Sequence, residues 1–373
     1  MKKVLYCITA LPVLVLLLLS SCATGQASFP AEYIRDNRDT VSFELPEVFE
    51  LANIIIAVSD YGREHKFRVN KEGAYYREVM DHFSEFSDHP LIEKLELSDE
   101  NIGNYYSFRN QSYLYSFRNG ELARCTMRRS IPGNALFREN LDLIENFASV
   151  SGFRHFFASH REYYEEQREL YQSRLPVRKM WNWLEDEFPL TYDHYVIVFS
   201  PLIGASHNTV RYEDSGFREC IMFVSGPDFY NTLVSEGRIS PEMEEALLSR
   251  LVFTEIDHNY VNRISGRYKN SIDRALTPLD YWNTQNGYRT PQLTFNEYVT
   301  WGLFSLYAYD VYPPEIYKQI EKHVIVSMEN RGFLRINEFN DFFIELYRQK
   351  KENQKIFRFF PKIIDWFITE NPN

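Results

Sequence analysis

Cysteine is scarce in this chain, with four in 373 residues, at positions 7, 22, 125 and 220. That excludes a small fold stapled by a disulfide framework. Positive charge is also short: 41 Lys and Arg face 52 Asp and Glu, the formal charge is −11, and no basic cluster offsets it. An acidic body disfavours polyanions, so nucleic acid is not an expected partner. After residue 21 no apolar stretch is long enough to span a bilayer. The glycine motifs of nucleotide sites and serine hydrolases are missing: there is no G-x-G-x-x-G, no G-x-x-x-x-G-K-[ST] and no G-x-S-x-G. No internal repeat or low-complexity tract occurs, and no linker follows residue 30. With 44% hydrophobic and 25% charged residues, a sizeable core is expected and global disorder is not.

What is present starts at the N-terminus. Lys2 and Lys3 precede an apolar run ending in Leu16-Leu17-Leu18-Leu19, followed by Ser20, Ser21 and Cys22. This resembles a secretory signal ending in a bacterial lipobox, Leu-Ser-Ser-Cys. The resemblance implies removal of residues 1–21, lipid on Cys22 and attachment to a membrane through that lipid. Ala23, rather than aspartate, follows the cysteine, as in lipoproteins passed on to the outer membrane, so a cell-envelope location is expected. Loss of Lys2 and Lys3 moves the formal charge from −11 to −13. Ala23 to Ser28 are small and polar, and residues 22–30 read as a flexible tether. Cys125 and Cys220 remain. A single pair offers no spacing to test, so a bridge and two buried thiols both fit.

Periodicity divides the rest. Val41 to Leu45 alternates like a short strand, and Pro46 opens a helix through Val48, Leu51, Ile54 and Ile55. Further helices are expected over 74–86 and 91–97. Residues 105–126 read as strand, with Asn119-Gly120 as a hairpin turn. Residues 135–187 carry three helical stripes. Tyr195 to Phe199 and Cys220 to Val224 are continuous apolar runs of strand length; Gly204, Asn208, Asp214 and Gly216 between them suit a long loop. Ser240 and Pro241 then open a helix expected to reach Asn262, and another is expected over 294–309, closed by Pro313-Pro314. Helices and short turns follow to Phe367. The expected fold is one α+β domain over 31–373, helix-rich over 31–190, with a core over 191–373 in which a small sheet packs on the 241–262 helix.

That helix carries Thr254-Glu255-Ile256-Asp257-His258. The pentapeptide reads like the zinc-peptidase motif H-E-x-x-H with threonine at the first histidine. Two histidines at i and i+4 share a helical face and hold Zn²⁺, and the glutamate between them activates a metal-bound water. Here Leu247, Leu251, Thr254 and His258 share the face. Glu297, in Phe295-Asn296-Glu297-Tyr298-Val299, is the best candidate for a ligand from a later helix. Strands, motif helix, then glutamate helix is the zincin order. Threonine is a neutral, weak ligand, and one imidazole plus one carboxylate fall short of the three protein ligands of a catalytic zinc site. His207, in the loop between the apolar runs, is one substitute. His194 precedes the first run, and His155 and His160 are spaced poorly for a shared metal. All four read more simply as hydrogen-bonded or surface histidines.

The chain resembles a family of secreted or lipid-anchored bacterial proteins of unknown function with a zincin-like H-E-x-x-H core. The resemblance covers most of the mature chain. It rests on Glu47-Val48-Phe49-Glu50-Leu51-Ala52, on Tyr76 to Phe83 followed by Asp88-His89-Pro90, and on Glu255 to Asn262. It implies a zincin-like fold, Glu255 as general base, His258 and Glu297 as metal ligands, Asn262 as the asparagine after the motif, and Thr254 at the position of the absent ligand. The expected protein is therefore a lipid-anchored zincin-like chain with a degenerate metallopeptidase site. It is expected to be catalytically inactive, with no cofactor or only weakly held zinc, and to keep a peptide or protein ligand. Two other readings stay open. One is an active zinc metallohydrolase with an unidentified third ligand. The other is a cell-surface glycan- or protein-binding lipoprotein without that chemistry, for which 26 Tyr and 29 Phe leave room.

Overall fold

The computed structural model describes residues 22–284 and 287–372; the expected signal segment 1–21 lies outside them. The fold is α+β. Nine strands occur in chain order among the described residues: β1 (Cys22–Thr24), β2 (Gln26–Ala27), β3 (Thr40–Glu44), β4 (Tyr115–Arg118), β5 (Glu121–Arg124), β6 (Arg128–Ser130), β7 (His194–Ser200), β8 (Asn208–Asp214) and β9 (Phe217–Ser225). Five of them make a mixed sheet in the order β1-β8-β9-β7-β3. β3, β7 and β9 run parallel, while β8 pairs antiparallel with β9.

The two apolar runs are the central strands because each buries both faces. Along β7, Tyr195, Ile197 and Phe199 enter one core, and Val196 and Val198 enter the other. Along β9, Cys220, Met222 and Val224 oppose Ile221 and Phe223 in the same way. Residues of the helix Glu47–Val58 and the other N-terminal helices fill the second core. The first core holds the helices after residue 240. The sheet is thus a middle layer, and one of its helical covers is the motif helix.

Three expectations are corrected. The segment 22–30 is not a free tether over its first part: β1 pairs in parallel with β8 from Cys22↔Thr209 to Thr24↔Arg211, and β2 pairs with β6. Small polar residues carry no signal of their own for a strand held by a partner far along the chain. Residues 105–112 are not strand but part of the helix Ile102–Ser112, with Tyr105, Phe108 and Ser112 buried. That helix packs on Glu47–Val58, and packing there overrides the strand preference of its aromatics. The expected long loop between the apolar runs contains β8. Its hairpin to β9 turns at Ser215 (φ 53°) and Gly216 (φ 75°), as the expected Asn119-Gly120 turn does at φ 53° and 93°. Two successive positive φ values fit the right-handed strand twist.

The motif helix starts as read. Ser240 accepts from the Met243 amide and Pro241 takes the first helical position. It runs over Pro241–Ile256, and a second helix, His258–Ser265, follows after Asp257. Among the described residues no helix is long and apolar enough to cross a membrane. Cys125 and Cys220 are thiols and do not form a disulfide. Cys220 is buried, with Asn259 donating to its sulfur at 3.0 Å.

Candidate functional site

From Leu251 to Ile256 the motif helix is buried on every side, and so is the helix Pro291–Val311 from Thr294 to Ala308. Two such helices pack only against each other and the core, and this brings the motif against Glu297. His258 Nε2 stands 3.3 Å from Glu297 Oε1, with both side chains almost fully buried. The other ring nitrogen, Nδ1, lies 3.4 Å from the Thr300 hydroxyl. Arg331, just past the helix Pro314–Asn330, reaches in from a third direction. Its Nη2 donates to Glu297 Oε2 at 2.8 Å and also to the Tyr288 hydroxyl. A chain of charge results: imidazole, carboxylate, guanidinium.

The electrostatics follow from this geometry. Burial alone would push Glu297 up, but Arg331 and His258 overcome it and hold the carboxyl at about 2. Burial alone would push His258 down, but Glu297, with Glu255 and Asp257, holds the imidazole up at about 9. At neutral pH the pair is ionised. Glu255 lies in the same charge field without an equivalent partner. Burial pushes its carboxyl up to about 7, and Oε2 has no hydrogen-bond partner. Asp257 is deeper still. Both of its oxygens are buried without a hydrogen bond, and burial raises its carboxyl well above the usual range. A protonated acid is the form such a site tolerates.

Whether these residues suit zinc is decided by their donors. Thr254 turns its hydroxyl back to the Arg250 carbonyl at 2.9 Å, inside its own helix. Glu297 commits one oxygen to His258 and the other to Arg331. Among the described residues no three His, Cys, Asp or Glu side chains converge as a ligand group. A fixed guanidinium on the only ligand carboxylate opposes a second cation beside it. The donor set does not fit zinc.

His207 does not join His258. Its Nε2 faces the Gly204 carbonyl at 3.1 Å and the Ser225 hydroxyl at 3.2 Å. His194 is a buried residue of β7 facing Glu219 at 3.0 Å, and His160 pairs with Glu78 at 2.8 Å. Asn262 is half-buried, and its Oδ1 is shielded with no partner. The asparagine that ties the motif to the sheet is Asn259, which also donates to the Ile256 carbonyl at 3.0 Å. Sequence reasoning missed Arg331, Arg250, Tyr288 and Trp301. Both arginines stand over the Trp301 ring, with guanidinium carbons 5.1 and 5.0 Å from its centroid. A basic residue at a helix end, such as Arg331, reads as an ordinary partner of the helix dipole.

A separate cavity of about 480 Å³ lies between the last helices, lined by Tyr309, Tyr312, Tyr317, Lys318, Glu321 and Arg348 among others. Compared with known proteins, the chain matches no family model, no curated protein and no solved structure.

Proposed function

We propose that this chain is a lipid-anchored, zincin-like protein whose metal position has passed to an arginine, and that it holds a peptide or protein segment without cleaving it. The observation that carries the reading is the Arg331 guanidinium on Glu297. In a zinc peptidase that carboxylate binds the metal, and the metal lowers the pKa of its water. With the carboxylate neutralised by Arg331 and His258, Glu255 has no activated water to work on.

The test is hydrolysis of a broad peptide library by the wild-type chain, with zinc added and with a chelator added. The expected result is no cleavage above background in either case. Chelator-sensitive cleavage that disappears in Glu255→Gln would overturn the reading in favour of an active hydrolase. The anchor has its own test. Cys22→Ala should abolish lipid attachment and release the protein from the membrane fraction. An unchanged fractionation and an unchanged precursor mass would remove the lipoprotein part of the proposal.

The cavity lined by Tyr309, Tyr312 and Tyr317 supports a second reading, a glycan-binding lipoprotein, because tyrosines beside charged side chains suit sugars. Binding of the wild-type chain to a peptide array and to an oligosaccharide array separates the two ligand classes.

A further inference from the structure

Arg250 and Arg331 flank one indole, that of Trp301. Arg331 has Glu297 as partner. Arg250 has none of that kind: among the described residues it forms no ion pair with a carboxylate, and its Nε is buried without a hydrogen-bond partner. A third guanidinium, that of Arg109, acts on the same histidine, His207, as these two. Arg109 is fully buried on the helix Ile102–Ser112. It donates to the Tyr105 hydroxyl at 2.9 Å, the Ser206 carbonyl at 2.7 Å, Asn110 Oδ1 at 3.2 Å and Asn208 Oδ1, all neutral acceptors. Ser206 and Asn208 bracket His207, the histidine beside Ser225.

We propose that this cluster is an oxyanion-binding site, with Arg250 and Arg331 contacting the anion and Arg109 adding charge beside His207. The ligand class is a carboxylate, such as a peptide terminus or acidic side chain, or a phosphate. Both offer a pair of oxygens to the guanidinium fork. Charge balance argues for it. Among the described residues Glu297 is the only carboxylate paired with any of the three arginines, and it is shared with His258. Positive charge thus collects here in a chain whose formal charge is −11, and partly buried cations without counter-ions are costly unless a ligand supplies one. In support, burial and the charges of Arg250, Arg109 and Arg331 hold His207 down at about 3.

The inference deepens the peptide reading, and the experiment separates the two. Binding to the full chain is measured by calorimetry at low salt with three probes: a peptide with a free C-terminal carboxylate, the same peptide amidated, and inorganic phosphate. At least one anion should bind, the free acid more tightly than the amide. Arg250→Gln should weaken anion binding about tenfold or more, as expected when one partner of a buried charge pair is removed. Arg250→Lys should recover part of the loss, and the exposed Arg358→Gln should change nothing. Far-UV circular dichroism establishes that each variant is folded. Phosphate binding that depends on Arg250, with no peptide bound, supports the anion site and removes the peptide reading. Acid and amide binding equally, both indifferent to Arg250→Gln, keeps the peptide reading and overturns this proposal. No anion bound at all also overturns it.

Discussion

Arg128→Met should destabilise the fold by about 3–5 kcal/mol, the usual consequence of stranding one charge of a buried pair. Glu219 on β9 is fully buried. Arg128 on β6 grips it with two parallel bonds, Nε to Oε1 at 2.7 Å and Nη2 to Oε2 at 2.9 Å. Tyr33 donates to the same Oε2 at 2.5 Å, and His194 Nδ1 stands 3.0 Å away. These residues tie the N-terminal segment to the sheet. Burial would raise the Glu219 carboxyl, but Arg128 and His194 outweigh it and hold it at about 2. A carboxyl lowered in the folded state contributes stability that is fully present above its unfolded value, near 4.5, and is lost as pH falls from there through about 2. That contribution is on the order of 3 kcal/mol. In Arg128→Met the remaining burial raises the carboxyl instead, so the acid limb of the stability curve should flatten or reverse. Urea unfolding at a series of pH values measures both effects. A loss below about 1 kcal/mol would fall in the range of exposed pairs and would show that the pair is not buried as described. Replacing both charges, as in Arg128→Met with Glu219→Leu, should restore much of the loss, since no ion is then left unpaired.

How much of this could be read beforehand depends on whether a signal is local. Tyr195 to Phe199 and Cys220 to Val224 declare themselves because a strand covered on both faces must be apolar throughout. Ser240-Pro241 declares the motif helix because its first amides need a cap. The strand β8 does not stand out. Thr209, Val210 and Tyr212 are flanked by polar residues, and its turn uses Ser215-Gly216 instead of Asn-Gly. The strand β1 has no local signal, since its pairing depends on Thr209 to Arg211, far along the chain. At the site, Glu255 and His258 are placed by helical spacing, and Glu297 by its position on the next apolar helix. The arginines are not. Arg331 ends a helix where a cation is ordinary, Arg109 sits in an aromatic stretch that reads as strand, and Arg250 is one polar residue of a helix. Only the tertiary fold collects them, and with them the reason zinc is disfavoured.

The second large effect is a gain of metal. Thr254→His restores the i, i+4 imidazole pair, but Arg331 still holds Glu297, so the single change should gain little zinc. Adding Arg331→Met frees the carboxylate and removes the competing cation. The double variant then offers an imidazole at position 254, the His258 imidazole and the Glu297 carboxylate, the three protein ligands of an open zinc site. Groups that only hydrogen-bond to the ligands change zinc affinity by about 10–100-fold, so restoring a ligand and its carboxylate together should exceed that range. Elemental analysis of the wild type, Thr254→His and the Thr254→His/Arg331→Met variant, each after zinc loading and desalting, measures this most directly. The expected result is clearly less than one zinc per chain in the wild type and one per chain in the double variant, lost again on adding His258→Ala. One tightly held zinc per wild-type chain, removed by His258→Ala, would contradict it.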